Sequence, residues 1–593
     1  MKVRWLGRVP YREAWVLQRA LSSRSHHDYL LLLEHPHVFT LGAHADQGHV
    51  LTDPASVGAD LVRVDRGGDV TYHGPGQLVG YPLVTVGPGL HRGAEHVRRV
   101  EQVVIDTLVA LGAPSSSVGR LEGYPGVWAG LDEADRPDSP GPRKIAAIGV
   151  RTARGRTTHG FALNVSADLA MFGHIVPCGI TDKPVTSMDH EGWDVPMTAA
   201  VDAAIAAAAA QWGPADDVQR VTDPVGAGSE RGQHLRGDRR DRGVRGNPRE
   251  RGDRSEGGAR PVPVALTGRS GRPLERRLRR SGVDPNAGLS VRARKPQWLR
   301  VNAHMGDRFL DLRHDLRHLD LVTVCEEAGC PNIYECWSDG TATFMINGSR
   351  CTRACGFCQV DTRHPLPLDA SEPGRVAEAV ERMGLGHAVV TCVARDDLPD
   401  GGAGAFASTI AAIRHRSPST RVEVLISDCK GDPASLETVF SARPDVLNHN
   451  IETVARLQRA VRPSAGYARS LGVLAGAAEF GLTTKSGIIL GMGERQEEVL
   501  ATLADLRGVG VEIVTIGQYL RPSSHHLPVA RWWRPEEFAA IGKAGMAMGF
   551  AHVQSSPLTR SSYHAREAAE ASTGSGPSDG MVGPVEPTLL ASR

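Results

Sequence analysis

The sequence predicts two domains in tandem, an α+β domain over residues 1–213 and a parallel α/β domain over residues 295–565. Three observations predict this: the chain length, a break in composition near the middle, and a different rhythm of apolar runs on either side of it. At 593 residues the chain is too long for one hydrophobic core. Hydrophobic content of 41% and charged content of 23% are those of folded globular proteins.

The break comes at residues 221–294, where apolar periodicity gives way to Arg, Gly and Asp, as in RGQHLRGDRRDRGVRGNPRERGDRSEGGAR. Such a segment buries too little apolar surface to offset its ordering entropy. Residues 214–294 are therefore expected to be a disordered linker, and residues 566–593 a disordered tail. Arg/Gly tracts can bind nucleic acid, but the interspersed acidic residues and the lack of aromatic stacking groups disfavour that partner.

In the first domain, strand-like runs (YLLLLEHPHVFTLG, KIAAIGVR, FALNV) mix with helical ones (EHVRRVEQVVIDTLVALG, AAVDAAIAAAAAQWG). In the second, short apolar strands (ATFMI, AVVTCV, VEVLIS, VLNHN, SGIIL, IVTIGQ) alternate with helical stretches of ten or more residues. That alternation is the βα pattern of a parallel sheet, open or closed into a barrel. No run reaches the ~18 apolar residues that span a bilayer, and the N-terminus has no cleavable signal pattern, so a cytoplasmic protein without a membrane partner is expected. The net charge of +1 selects no charged partner.

Eight of the nine cysteines fall between Cys325 and Cys429, and Cys178 stands alone in the first half. Clustered cysteines in a reducing compartment more often ligate metal than form disulfides. Cys351, Cys355 and Cys358 form C-x3-C-x2-C directly after a strand-like run. Three thiolates on one loop hold three irons of a four-iron cluster and leave the fourth open, whereas an electron-transfer cluster wants four thiolates. An open iron can bind the amino and carboxylate groups of S-adenosylmethionine, whose one-electron cleavage yields a carbon radical. Zinc sites usually show paired C-x2-C units instead. Cys392 and Cys429 sit in apolar runs and are expected to pack as small core hydrophobes.

A second triplet, Cys325, Cys330 and Cys336, lies upstream in CEEAGCPNIYECW and implies a second cluster. This pair of spacings, with RSSYHA at 560–565, resembles the lipoyl synthases, members of the radical S-adenosylmethionine family. The resemblance runs from about residue 295 to 565 and includes TCVARDDLPDGGA, NHNIETV, TTKSGIILGMGE and TIGQYLRPSSHHLPV. It implies a partial TIM barrel, S-adenosylmethionine and two 4Fe–4S clusters. The Cys351, Cys355 and Cys358 cluster would bind S-adenosylmethionine, and the auxiliary one would take Ser562 as its fourth protein ligand. The implied reaction inserts two sulfurs at carbons six and eight of a lysine-bound octanoyl chain, with a ferredoxin or flavodoxin as electron donor. Since the C-terminal strand ends of such barrels face the cofactor, Asp397, Gly401, Gly402, Asn450 and Glu452 are candidate S-adenosylmethionine contacts. The chain departs from the family's usual residues at Ser427, Cys429 and Ser556.

In the first domain, residues 66–83 (RGGDVTYHGPGQLVGYPL) concentrate glycines around Tyr72 and His73. Glycine permits close approach of backbone to ligand. Lys144 and Cys178 supply an ammonium and a thiol, the pair needed to form an acyl thioester and to shuttle its proton. Together with LLLEHPHVFTLG, THGFALNV and VPCG, these features resemble the octanoyltransferases of the lipoate-protein ligase B family, with a biotin/lipoate ligase-like fold. The resemblance implies that Cys178 takes octanoate from octanoyl-acyl carrier protein. Lys144 would then activate the lysine of a lipoyl carrier domain, such as the glycine cleavage H protein or a 2-oxoacid dehydrogenase acyltransferase subunit. Backbone around Arg66, Gly67, Gly68, Asp69, Val70, Thr71, Tyr72 and His73, at Ala147, Ile148 and Gly149, and at Gly160, Phe161 and Ala162 would line the acyl pocket. Pro142 stands where glycine is common.

Two alternatives stay open: an ATP-dependent lipoate or biotin ligase for the first half, and an iron–sulfur electron carrier or structural metal module with a nucleic-acid-binding linker for the second.

Overall fold

A computed structural model of the chain describes residues 1–86, 92–134, 139–222, 271–291, 293–300 and 342–572, with isolated positions between 314 and 336. The N-terminal region is built on strands β1 (Lys2–Arg8), β2 (Tyr29–Glu34), β3 (Val38–Leu41), β4 (Asp60–Arg63), β5 (Val70–His73) and β6 (Gln77–Leu83). To these it adds β7 (Gly119–Leu121), β8 (Tyr124–Ala129), β9 (Arg143–Ala153), β10 (Arg156–Asn164) and β11 (Asp217–Arg220). Eight of them form a mixed sheet in the order β11-β1-β2-β6-β10-β9-β8-β7, and β4-β3-β5 form a small second sheet.

The run YLLLLE is apolar throughout because β2 is covered on both faces. Leu30 and Leu32 pack with helices α2 (Arg92–Ala110) and α3 (Met197–Trp212), whereas Leu31 and Leu33 pack with α1 (Tyr11–Arg24).

In the C-terminal region β12 (Val322–Thr323) pairs antiparallel with β13 (Ala342–Ile346). From β13 onward the ladder is parallel, through β14 (His387–Cys392), β15 (Arg421–Leu425), β16 (Val446–Asn448), β17 (Thr484–Leu490), β18 (Ile513–Gln518) and β19 (His552–Ser555). Between these strands run α5 (Glu372–Arg382), α6 (Ala403–Arg416), α7 (Pro433–Ser441), α8 (Tyr467–Glu479), α9 (Gln496–Gly508) and α10 (Pro535–Ala547). Seven parallel strands, with the short antiparallel β12 at the β13 edge, fit a partial barrel. The six strands expected from sequence are present. β19 carries only intermediate burial, so its apolar signal is too weak to read in advance.

The expected linker and tail both differ from the structure at their ends. Within 214–294, β11 adds to the edge of β1, and α4 (Gly271–Arg280) drives Leu278 into the core. Residues 223–270 lie outside the described residues. Within the expected tail, α11 (Ala565–Ser572) seats Ala568 and Ala569 against Val446 and Ile513, and residues 573–593 lie outside the described residues. Among the described residues no helix is long and apolar enough to cross a membrane.

The two regions share one core. Leu17, Leu21 and Tyr29 of the first lie in the same cluster as Leu474, Leu503 and Val509 of the second. At its centre Arg4 is buried, donating to Asp505 through Nε at 2.7 Å and Nη2 at 2.8 Å, and to Asp217 at 2.7 Å. The hydroxyls of Tyr29 and Tyr467 also donate to Asp505, at 3.3 and 3.0 Å. A buried ion pair adds little net stability, but losing one partner strands the other charge.

Candidate functional site

The first site is a cavity of about 300 Å³ in the N-terminal region, where Cys178 and Lys144 lie on the same wall-lining set. Cys178 follows Pro177 in a tight turn, at φ 56°, a left-handed conformation uncommon for a side chain. Lys144 is buried on β9, its Nζ 5.4 Å from the centre of the Trp128 ring. Its backbone is fixed on both sides, donating to Pro184 O at 2.8 Å and accepting from Thr186 N at 2.9 Å.

Of the expected lining, Arg66, Gly68, Asp69, Thr71 and His73 face the cavity, as do Ala147, Ile148, Gly149, Gly160, Phe161 and Ala162. Gly67, Val70 and Tyr72 do not. The reason for two of them is strand alternation: along β5, Thr71 and His73 face the cavity while Val70 and Tyr72 face the small second core. Tyr72 spends its hydroxyl on His37 Nδ1, at 2.8 Å. Gly67 instead donates its backbone N–H to Val150 O. Gly160 is required by close packing, since a Cβ there would meet Gly80 O at 2.1 Å.

A polar network holds the cavity wall. Arg66 donates to Thr40 O at 2.7 Å and to Asp69 O at 2.8 Å, clamping the glycine-rich loop. His73 Nδ1 pairs with Gln77 Oε1 at 2.7 Å, and Gln77 Nε2 donates to Asn164 Oδ1 at 2.8 Å. His35 bridges Val9 O and the Tyr81 hydroxyl, both at 2.7 Å. Burial pushes the His35 imidazole down to about 4 and keeps it neutral.

Tyr11, Tyr81, Tyr124, His159 and Ile180 also line the cavity. Tyr81 and His159 lie inside segments singled out from sequence. Tyr11 comes from α1, for which no local signal marks a binding role.

The second site is a cavity of about 440 Å³ at the C-terminal ends of the parallel strands, lined by Cys358, Asn448, Asn450, Glu452, Arg560, Ser561 and Ser562 among others. Cys351, Cys355 and Cys358 sit on the loop after β13, half-buried and in no disulfide. Cys351 Sγ accepts from Arg353 N at 3.4 Å and Ala394 N at 3.3 Å. The loop is tied down by Gly356 N to Val461 O at 2.8 Å, Leu527 N to Gly356 O at 2.9 Å, and His526 Nε2 to Cys358 O at 2.9 Å.

Burial pushes the Cys355 thiol up to about 11 and Cys358 up to about 12, so both are neutral thiols until a metal replaces the proton. Among the described residues no three His, Cys, Asp or Glu side chains converge on a single ion. A cluster in which each thiolate takes a different iron does not need them to converge.

The donor set therefore fits a cluster, and the cavity fits a polar ligand beside it. Asn448 Oδ1, Asn450 Oδ1 and Glu452 Oε2 are buried without a hydrogen-bond partner. Burial raises the Glu452 carboxyl above its ordinary range, and its backbone is held at φ 67°. Asn450 Nδ2 donates to Ser561 Oγ at 2.6 Å, tying the strand end to the segment that carries Ser562. At the cavity's inner wall Glu423 accepts from Lys485 Nζ at 3.0 and 3.1 Å, both side chains fully buried, an ion pair that no sequence spacing announces.

Asp397, Gly401 and Gly402 are not in this cavity. Asp397 pairs with Arg395 at 2.9 Å, Gly401 packs on Cys429, and a Cβ on Gly402 would meet Asn347 Nδ2 at 2.3 Å. Of the second triplet only Cys336 is described, with its N–H on Asn332 O. Asn332 Nδ2 donates to Leu558 O at 2.7 Å, four residues before Ser562. Cys325 and Cys330 lie outside the described residues. Cys429 is buried and Cys392 half-buried, both against one hydrophobic cluster. At the departures from the family pattern, Ser427 Oγ accepts from Cys429 N at 3.4 Å and Ser556 Oγ lies 2.8 Å from Thr559 Oγ1.

Comparison with known proteins bears on both regions. Residues 10–209 match the family model of the lipoyl protein ligase A/B catalytic domain. Residues 281–330 match the N-terminal domain of lipoyl synthase, and residues 345–506 match the radical SAM superfamily. A lipoyl synthase of Rubrobacter xylanophilus is 57% identical over 278 residues, 46% of this chain and 87% of its own length. One of Mycobacterium avium is 55% identical over 282 residues, 47% of this chain and 92% of its own. Among solved structures, a lipoate-protein ligase A bound with ATP covers 38% of this chain and 90% of its own at 18% identity, with a TM-score of 0.30.

Proposed function

The chain belongs to the lipoyl synthase family through its C-terminal half and carries a lipoyl protein ligase A/B catalytic domain before it; from that premise we propose that it performs two consecutive steps of protein lipoylation. Family membership brings S-adenosylmethionine and 4Fe–4S clusters as cofactors.

In the first step Cys178 passes its thiol proton to Lys144 and attacks the thioester carbonyl of octanoyl-acyl carrier protein. The carrier's sulfur leaves as a thiol with that proton from Lys144, and an octanoyl thioester remains on Cys178. The ε-amine of a lysine on a lipoyl carrier domain then attacks that thioester, and Lys144 takes the amine proton and hands it to the departing sulfur, releasing the Cys178 thiol. Arg66 and its loop, with the backbone at 147–149 and 160–162, hold the acyl chain and offer N–H groups to the oxyanion. The observation that carries this reading is the placement of Cys178 and Lys144 on one cavity. An ATP-dependent ligase of the same family would activate the acid as an adenylate and need no cysteine. Incubation with octanoyl-acyl carrier protein without ATP should give an octanoyl adduct that is lost in Cys178→Ser. An adduct surviving in that variant would refute the Cys178 thioester, and no adduct without ATP would favour the ligase.

In the second step the octanoylated carrier enters the C-terminal cavity, where each of two C–H bonds is replaced by C–S. When bound, the cluster with S-adenosylmethionine supplies a carbon radical able to take hydrogen from an unactivated C–H bond. Cys351, Cys355 and Cys358 would hold that cluster, and Cys325, Cys330, Cys336 and Ser562 the auxiliary one. Asn450 and Glu452 orient the cofactor through their unpaired acceptors, whereas Asp397, Gly401 and Gly402 hold the surrounding loops. Cys358 and Ser562 line one cavity, which is what both clusters flanking one substrate require. A ferredoxin or flavodoxin is the proposed donor. Reduced, reconstituted protein that formed no 5′-deoxyadenosine would refute this half.

A further inference from the structure

Helix α1 belongs to the acyl-transfer region, yet its first turn reaches Arg469 of α8 and Gly431 on the loop after β15. Tyr11 lines the acyl cavity. Two residues on, Glu13 points away from it and accepts from Arg469 Nε of α8 at 2.7 Å, its side chain only 11% exposed. Glu13 is seated tightly, for a Cβ on Gly431 would meet its Oε1 at 2.8 Å. Arg469 also faces Asp428, with Nη1 3.7 Å from Asp428 Oδ2. That oxygen is fully buried and has no hydrogen-bond partner. The other oxygen, Oδ1, accepts from Arg353 Nη2 at 2.5 Å. Arg353 stands between Cys351 and Cys355 and is held by Asp396 at 2.7 and 2.8 Å.

Arg469 is thus shared between two carboxylates, bonded to Glu13 and one short movement from the unsatisfied oxygen of Asp428. A buried carboxylate oxygen gains strongly from an arginine donor, so what keeps Arg469 off Asp428 is Glu13. We propose that Glu13 is a positioning residue for the cysteine loop of the radical site, acting across the domain boundary through Arg469, Asp428 and Arg353. Without its charge, Arg469 closes on Asp428, Asp428 loosens its hold on Arg353, and the loop between Cys351 and Cys355 relaxes. The proposal rests on the reading of Cys351, Cys355 and Cys358 as cluster ligands.

The test is electron paramagnetic resonance of the reduced, anaerobically reconstituted full chain, titrated with S-adenosylmethionine. Wild type should show a signal that S-adenosylmethionine shifts. Glu13→Gln should need at least about threefold more cofactor for half of the shift, and Glu13→Asp should recover most of it. Arg469→Lys keeps the charge but loses the Nε donor that Glu13 accepts, so its ammonium is free to close on Asp428, and it should behave like Glu13→Gln. The double variant Glu13→Gln/Arg469→Lys should be no worse than either single one, because both act on one contact. Titrations unchanged from wild type in Glu13→Gln and Arg469→Lys, with thermal melting intact, would overturn the proposal alone. A wild-type signal indifferent to S-adenosylmethionine would overturn the ligand reading and the proposal with it.

Discussion

The two cavities differ in how the protein satisfies the polar groups that line them. The cavity of the N-terminal region brings Cys178 and Lys144 together beside a glycine-rich loop that Arg66 clamps through Thr40 and Asp69. The cavity of the C-terminal region instead presents two thiols that burial keeps protonated and three buried side-chain acceptors, of Asn448, Asn450 and Glu452, that no protein donor satisfies. Both nonetheless rest on one shared core.

That contrast can be broken by substitution. The largest effect should come from Cys351→Ala, Cys355→Ala or Cys358→Ala, each expected to abolish formation of 5′-deoxyadenosine while leaving the octanoyl adduct on Cys178 intact, as followed by mass spectrometry. Next, Cys178→Ser should lower octanoyl transfer by about 10⁴-fold or more, since a nucleophile's removal leaves only binding contributions. Lys144→Ala should cost about 10²–10⁴-fold in the same transfer, the range for a lost proton shuttle, with the iron content unchanged.

A smaller effect tests the shared core. Asp505→Asn should destabilise the full chain by about 3–5 kcal/mol in denaturant unfolding, because Arg4 is left buried without its main carboxylate. Loss of stability in both regions together would show that the core is common, whereas loss in the C-terminal region alone would separate them.

An effect of comparable size is the pH response. His35 in the first region and His449 in the second are both pushed down to about 4 by burial. Between pH 6.5 and 4 the unfolded chain binds protons that the folded chain refuses, so stability is greatest above pH 6.5 and falls with acid. Each imidazole contributes about 3 kcal/mol over that window. Melting temperatures that held constant down to pH 4 would contradict this.

The parts legible in the sequence were those set by covalent spacing. The cysteine spacing puts Cys351, Cys355 and Cys358 on one loop, and apolar runs mark six of the seven parallel strands. Local glycine clustering pointed to the acyl loop, but not to which side chains face in. Val70 and Tyr72 turn away by strand alternation, a fact that only the register of β5 decides. Asp397 looked like a strand-end ligand and is instead a partner of Arg395, a contact within the loop itself. Contacts distant in the chain were not legible: nothing local in Arg4 or Glu13 announces Asp505 or Arg469, about 500 and 450 positions away. Nor does the composition break at 221–294 announce that Leu17 and Leu21 before it share a core with Leu474 and Leu503 after it.

The central claim, two successive reactions in one chain, is tested most directly by one mass measurement. The full chain, anaerobically reconstituted and supplied with octanoyl-acyl carrier protein, an unmodified lipoyl carrier domain, S-adenosylmethionine and a low-potential reductant, should convert the carrier first to its octanoyl form and then to its lipoyl form. With Cys178→Ser the carrier should stay unmodified, and with Cys351→Ala it should stop at the octanoyl form. A carrier that became lipoylated in either variant, or that reached no octanoyl form with the wild-type chain, would contradict the account.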